Sequence, residues 1–120
     1  MIVNGLTLRD LRNMSVRRLA YFKNSKGEPA HALRSGADWS PNDWMTAVVG
    51  EVGEAANILK KVRRQDLTLE AARPAIAEEL ADVLCYLILL AFRCGIDLEE
   101  ATITKWNKVS ERIGYDERLK

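Results

Sequence analysis

An acidic tetrad, Glu79-Leu80-Ala81-Asp82, runs straight into ten consecutive apolar residues, VLCYLILLAF, at positions 83–92. A run this long does not show the period-two alternation of a half-buried strand. It is also too short for a membrane span, which needs about 20 apolar residues. A helix that is apolar nearly all round is buried on every side. The chain has 120 residues, and a chain so short buries only a modest share of its surface. The run therefore predicts a helical core that one copy of the chain can hardly cover, and with it a homo-oligomer.

The remaining sequence also reads as helix. Thr7-Leu8-Arg9-Asp10 is a capping-box pattern, and Leu8, Leu11, Val16, Leu19 and Phe22 continue it as a loose helical stripe. Residues 23–38 carry Gly27, Pro29 and Gly36 and read as a long loop, a kind of segment that is often functional. The second helix has the clearest start: Ser40 as cap, Pro41 at the first position and Asp43 completing the box. It runs through Trp44, Val48, Val52, Ala55, Leu59 and Val62 to the basic end KKVRR, suited to a helix C-terminus. A turn over residues 66–72 leads to Pro74, expected to open the third helix, which ends at Gly95. Asp97, with Glu100 three residues on, caps a fourth helix ending near Gly114, and the tail from Tyr115 is expected to be irregular. No strand pattern or interdomain linker is present, so the expectation is all-α, about four main helices, in one domain spanning residues 1–120.

The net charge of +1 gives no basic excess for nucleic acid. The start MIVNGLTLRD lacks the basic-then-apolar layout of a signal peptide. Cys85 and Cys94 lie nine apart within one helical pattern and read as small core residues in a reducing compartment. With His31 they are too few for a zinc site. A soluble, cytoplasmic protein without membrane or nucleic-acid partners is expected.

Glu51-Val52-Gly53-Glu54 repeats the spacing of Glu79 and Asp82, placing two acids three apart on one helix face. Such pairs are common on solvated faces, but both of these border strongly apolar stretches. Like charges there would repel and desolvate at high cost unless neutralised. Hard divalent cations do so, and Mg²⁺ is held by carboxylates, water and substrate phosphates. Four carboxylates on two antiparallel helices can thus build a metal–phosphate site. A di-iron bundle would need Glu-x-x-His pairs, and the only histidine, His31, lies in the loop. Gly50 and Gly53 beside Glu51 fit either close helix packing or room for a nucleotide and its metals.

The segment GEVGEA, the 24 residues between Glu54 and Glu79, then EELADVLCYLILLA and GIDLEEA resemble the MazG-like all-α nucleoside triphosphate pyrophosphohydrolases and related dCTP pyrophosphatases. The resemblance runs from about Trp39 to Gly114. The ending KWNKVSERIG is similar to that of short phage-type members, and more loosely to a subset acting on guanine deoxynucleotides. The resemblance implies a helical bundle completed by dimerisation, as a homodimer or homotetramer, in a bacterial or phage-infected host cytoplasm. It implies cleavage of an NTP or dNTP, dGTP/GTP or dCTP among them, between the α- and β-phosphates. It makes Glu51, Glu54, Glu79 and Asp82 the catalytic, metal-holding acids for Mg²⁺, with Mn²⁺ as a substitute, and has one glutamate activate water. Where many members carry a further acid before the first glutamate, this chain has Gly50; Glu78 is a spare without an assigned role.

Lys61, two turns beyond Glu54, is a candidate phosphate ligand, as are Lys105 and Arg112, which share a face of the last helix. Trp39, Asn57 and Asn107 are candidates for base or sugar contacts, Trp39 by stacking, whereas Trp44 reads as core. Phosphate transfer from the γ-position has no support, because the GxxxxGK[ST] loop is missing. Two alternatives stand beside the leading one: a phosphoribosyl-ATP pyrophosphohydrolase, and a non-catalytic helical regulatory or antitoxin-like partner without an interior acid cluster.

Overall fold

The computed structural model describes residues 5–120; residues 1–4, on which the reading of the N-terminus partly rests, lie outside it. Helix α1 (Leu8–Arg18) passes into a 3₁₀ turn (Leu19–Tyr21), and after a long connection come α2 (Pro41–Arg63), α3 (Leu69–Arg93) and α4 (Leu98–Ile113). The four main helices and their all-α character agree with the sequence reading. None of the described helices is long and apolar enough to cross a membrane.

Local chemistry sets most of the ends. Ser40 Oγ accepts from the Asp43 amide at 3.1 Å, and the Asp43 carboxylate accepts from the Ser40 amide at 2.8 Å, so the box at α2 is complete. Asp97 caps α4 by accepting from the Glu100 amide, and Thr7 caps α1 by accepting from the Asp10 amide. Gly95 takes the left-handed conformation after α3, as expected.

Helix α3 departs from the expectation. It starts at Leu69 with Thr68 as cap, so Pro74 lies inside it rather than at its first position. The Thr68 hydroxyl accepts from the Ala71 amide at 3.1 Å, which begins the helix a turn and a half early. Pro74 then costs one backbone hydrogen bond near the helix start, where few are yet made. The connection from α2 is correspondingly tight. Gln65 adopts φ 65°, and the amides of Gln65 and Asp66 bond back to Val62 and Lys61, a Schellman closure without glycine.

The short connection folds α3 back on α2, and the two pack along their length. Leu19, Trp44, Val48, Ile88, Leu89 and Leu90 form the buried cluster, with Leu8, Leu11, Trp39, Val83, Tyr86 and Leu98 against it. Full burial of Leu19 and Ile88 contributes roughly 1.5–3 kcal/mol each. The loop before α2 is ordered by its own bonds: Lys23 bridges Pro29, and Asn24 accepts from the Lys26 and Glu28 amides. Arg93 Nε donates to the Trp39 carbonyl at 3.0 Å and ties the loop end to α3. Gly36, at φ 70°, takes the Trp44 indole N–H on its carbonyl; a Cβ there would meet Trp44 at 2.6 Å.

Candidate active site

The register of the hairpin builds the site. Trp44 of α2 and Tyr86 of α3 face each other with ring centroids 6.1 Å apart. Two turns further along α2 comes Glu51, and two turns back along α3 comes Glu79, so these acids also face each other. Asp82 follows one turn after Glu79. One oxygen each from Glu51, Glu79 and Asp82 lies within 4.8 Å of the other two. Glu51 Oε2 and Glu79 Oε2 are buried, and with both carboxyls ionised neither receives a hydrogen bond. Glu54, one turn beyond Glu51, reaches Glu79 rather than joining that tight trio.

Hydrogen bonding to Glu51, then to Glu54, together with lost solvent, pushes the Glu79 carboxyl from its usual 4.5 up to about 7. Two carboxylates share a hydrogen bond only while one keeps its proton. Burial, and then the charges of Glu51 and Asp82, raise the Tyr86 phenol as well. Buried oxygens without a donor are costly. Three converging carboxylates with two such oxygens could hold a hard divalent cation, which would satisfy both.

A cavity of about 480 Å³ opens beside Asp82 and extends past Cys85 and Tyr86 towards Leu89, walled by Trp39, Trp44, His31 and Arg18. Trp39 and Trp44 lie 4.5 Å apart, and His31 stacks on Trp44 at 5.3 Å. His31 Nδ1 is 3.2 Å from Asp38 Oδ1. Burial works to raise Asp38, but the bonds from His31 and the Ala32 amide outweigh it and hold the carboxyl below its usual range. A carboxylate only accepts, so Nδ1 carries the proton. Aromatic rings at one end and Asp82 at the other give a place for a flat apolar-faced group joined to an anionic one that reaches the acids through a cation.

Of the residues singled out in the sequence, the structure brings together Glu51, Glu54, Glu79, Asp82 and Trp39. Trp44 is core, 1 % exposed, and also cavity wall. Lys105 lines a different groove, on α4, while Lys61, Arg112 and Asn57 are exposed away from the described cavities. Asn107 is spent on the chain itself: its amide donates to the Leu119 carbonyl at 2.9 Å and accepts from the Leu119 amide at 2.8 Å. The tail is thereby pinned to α4. A Cβ at Gly50 or Gly53 would meet no atom within 4 Å, so close packing inside the chain does not explain either glycine. Sequence reasoning missed Arg18, His31 and Tyr86. Tyr86 was within reach, four residues after Asp82 on one helix face; His31 and Arg18 depend on how the loop folds back.

Residues 40–114 match the MazG nucleotide pyrophosphohydrolase domain. The chain belongs to the MazG family. The matched segment begins at the α2 cap and ends at the α4 cap, and so contains all four acids. Among curated proteins, the chain is 39 % identical over 83 residues to dCTP pyrophosphatase 1 of Rattus norvegicus, covering 62 % of this chain and 49 % of that protein. To the Homo sapiens protein of the same name it is 38 % identical over 76 residues, covering 57 % and 45 %. This MazG chain spans about half the length of the curated relatives it matches.

Proposed function

We propose that this chain is a nucleoside triphosphate pyrophosphohydrolase that cuts an NTP or dNTP into monophosphate and pyrophosphate. The observation that carries the reading is the trio Glu51, Glu79 and Asp82, two of its oxygens buried without donors, with Asp82 also lining an aromatic cavity. Those three acids, with Glu54 beside Glu79, are the residues that would hold Mg²⁺ or Mn²⁺. The metal supplies Lewis acidity and neutralises charge on acids and phosphates. The base stacks against Trp39 in the cavity, which sets the triphosphate beside Asp82. A glutamate of the cluster takes the proton of the attacking water, directed at the α-phosphorus, and pyrophosphate departs. The names of the relatives make dCTP the first substrate to try, with dGTP and GTP next. A cluster of acids with two donorless buried oxygens speaks against a purely non-catalytic partner protein.

A hydrolysis panel of common NTPs, dNTPs and phosphoribosyl-ATP with Mg²⁺ and Mn²⁺ tests the reading. In ¹⁸O-water the label is expected in the monophosphate. Label in orthophosphate with a diphosphate co-product would replace this mechanism by γ-cleavage.

The active form is a homo-oligomer in this reading. Met45, Val49, Val52 and Leu59 form an exposed stripe on α2, with Leu80 and Leu84 exposed on α3; Val49 is 61 % exposed and Leu80 57 %. The radius of gyration is 17.3 Å, against about 14 Å for a compact chain of this length. A second copy on the α2–α3 face would cover the stripe and give Gly50 and Gly53 a close neighbour. Light scattering that shows a stable monomer at micromolar concentration refutes this.

A further inference from the structure

A second cavity, of about 780 Å³, opens where α1 ends and the long loop begins. Arg17, Arg18, Lys23 and Arg34 line it, and no acid does. Among the described residues none of these four cations has an ion-pair partner. Arg17 touches the Met14 sulfur, and Arg18 sits over the Phe22 ring at 5.6 Å. The cavity shares Arg18, Tyr21 and Cys85 with the aromatic one, and Cys85 stands one turn beyond Asp82 on α3.

From this geometry we infer that the basic cavity binds polyphosphate: the outer phosphates of the substrate, and pyrophosphate once it is cut free. Guanidinium and ammonium groups only donate, and a phosphate chain offers only acceptors, so the match is one of charge-assisted hydrogen bonds. The site lies beside the aromatic cavity and within a turn of the acids. It takes the role that sequence reading gave to Lys61, Lys105 and Arg112. All four cations precede residue 40 and so lie outside the matched MazG segment. The inference rests on the hydrolase reading for the substrate and stands apart from it for pyrophosphate.

The test uses the Arg17→Gln/Arg34→Gln double variant. Both residues are exposed and line only the basic cavity, so neither the core nor the base wall is touched; circular dichroism and thermal melting verify the fold. KM for the best triphosphate of the panel should rise at least about tenfold, kcat should change less than about threefold, and the inhibition constant of pyrophosphate should rise in step. Arg17→Lys/Arg34→Lys should recover most of the loss, since charge is kept. Unchanged KM and unchanged pyrophosphate inhibition overturn the inference. Weakened pyrophosphate inhibition with unchanged KM overturns the assignment to the substrate. If the wild type cleaves no triphosphate, the hydrolase reading fails, and calorimetry with pyrophosphate alone decides the site. Binding that is lost in the double variant upholds it; wild-type binding that is absent, or unaltered in the variant, overturns it.

Discussion

Along the α2–α3 hairpin, side chains of one helix meet those of the other, from Trp44 against Tyr86 to Glu51 against Glu79. Helix α4 is held differently. Arg9 pairs with Asp97 at 2.8 Å and with Glu99 at 2.9 Å, and Leu98 reaches the core, all at the first turn of α4. Beyond that turn Trp106, Val109 and Ile113 face a groove of about 640 Å³, lined only by α4 and the tail that follows it. The hairpin carries the acids and keeps an apolar stripe, Met45, Val49, Val52 and Leu59, exposed on its outer face. Helix α4 is anchored at one end and leaves its apolar side for another surface. Both parts leave apolar surface exposed, but the acids belong to the hairpin alone.

The largest expected effect breaks the hairpin's chemistry without breaking its fold. Glu51→Gln, Glu54→Gln, Glu79→Gln and Asp82→Asn should each lower turnover at least about a hundredfold, since each removes charge that holds metal. Melting temperatures in metal-free buffer should stay level or rise, because one repelling acid is gone. Near wild-type turnover in any two variants would remove the four-acid site.

Replacing Gly36 by Ala attacks the loop end of the hairpin. It forces a side chain into a left-handed backbone and against Trp44, which should cost roughly 2–4 kcal/mol in denaturant titrations. A loss well under 1 kcal/mol would mean that the aromatic wall tolerates movement.

The acids also make the hairpin pH-sensitive in a direction that α4 does not share. The folded-state pKa of Glu79 is raised, so in metal-free protein the fold keeps a proton that the unfolded chain has released. Stability should therefore fall as pH climbs from about 4.5 to about 7 and level off above. Metal must displace that proton, so the Mg²⁺-induced rise in melting temperature should be larger at pH 8 than at pH 6. An equal rise at both would show that the Glu79 proton does not compete with metal.

Two smaller changes sharpen the contrast from opposite ends. Gln65→Gly relieves a left-handed side-chain-bearing residue and should stabilise the hairpin by about 1 kcal/mol on thermal denaturation. Arg9→Gln should speed amide exchange in α4 and leave α2 and α3 unchanged; equal acceleration everywhere would show that α4 is part of one cooperative unit.

What the sequence disclosed follows the range of the interactions. The capping box at Ser40, the Asp97 cap and the spacing within each acid pair depend on residues three apart, and these were legible. Pro74 suits a helix start and drew the expected start of α3 to itself, whereas the Thr68 cap, unremarked in the turn, sets the actual one. The cavities depend on α1, the loop and α3 meeting, so Arg18 and His31 carry no local signal. Asn107 was read as a free amide because nothing in its neighbours announces a bond to Leu119, twelve residues on.

The three tryptophans divide along the same line. Trp39 and Trp44 touch each other beside the aromatic cavity, while Trp106, 40 % exposed, stands edge-on to Tyr115 at the α4 groove. Their emission therefore carries two separable colours of information. A nucleobase stacking on Trp39 would quench the Trp39–Trp44 pair, whereas covering the groove would shift the emission of the more exposed Trp106. The chain comes with an optical reporter at each of the two surfaces that distinguish its halves, and Trp106→Phe would isolate the pair beside the aromatic cavity.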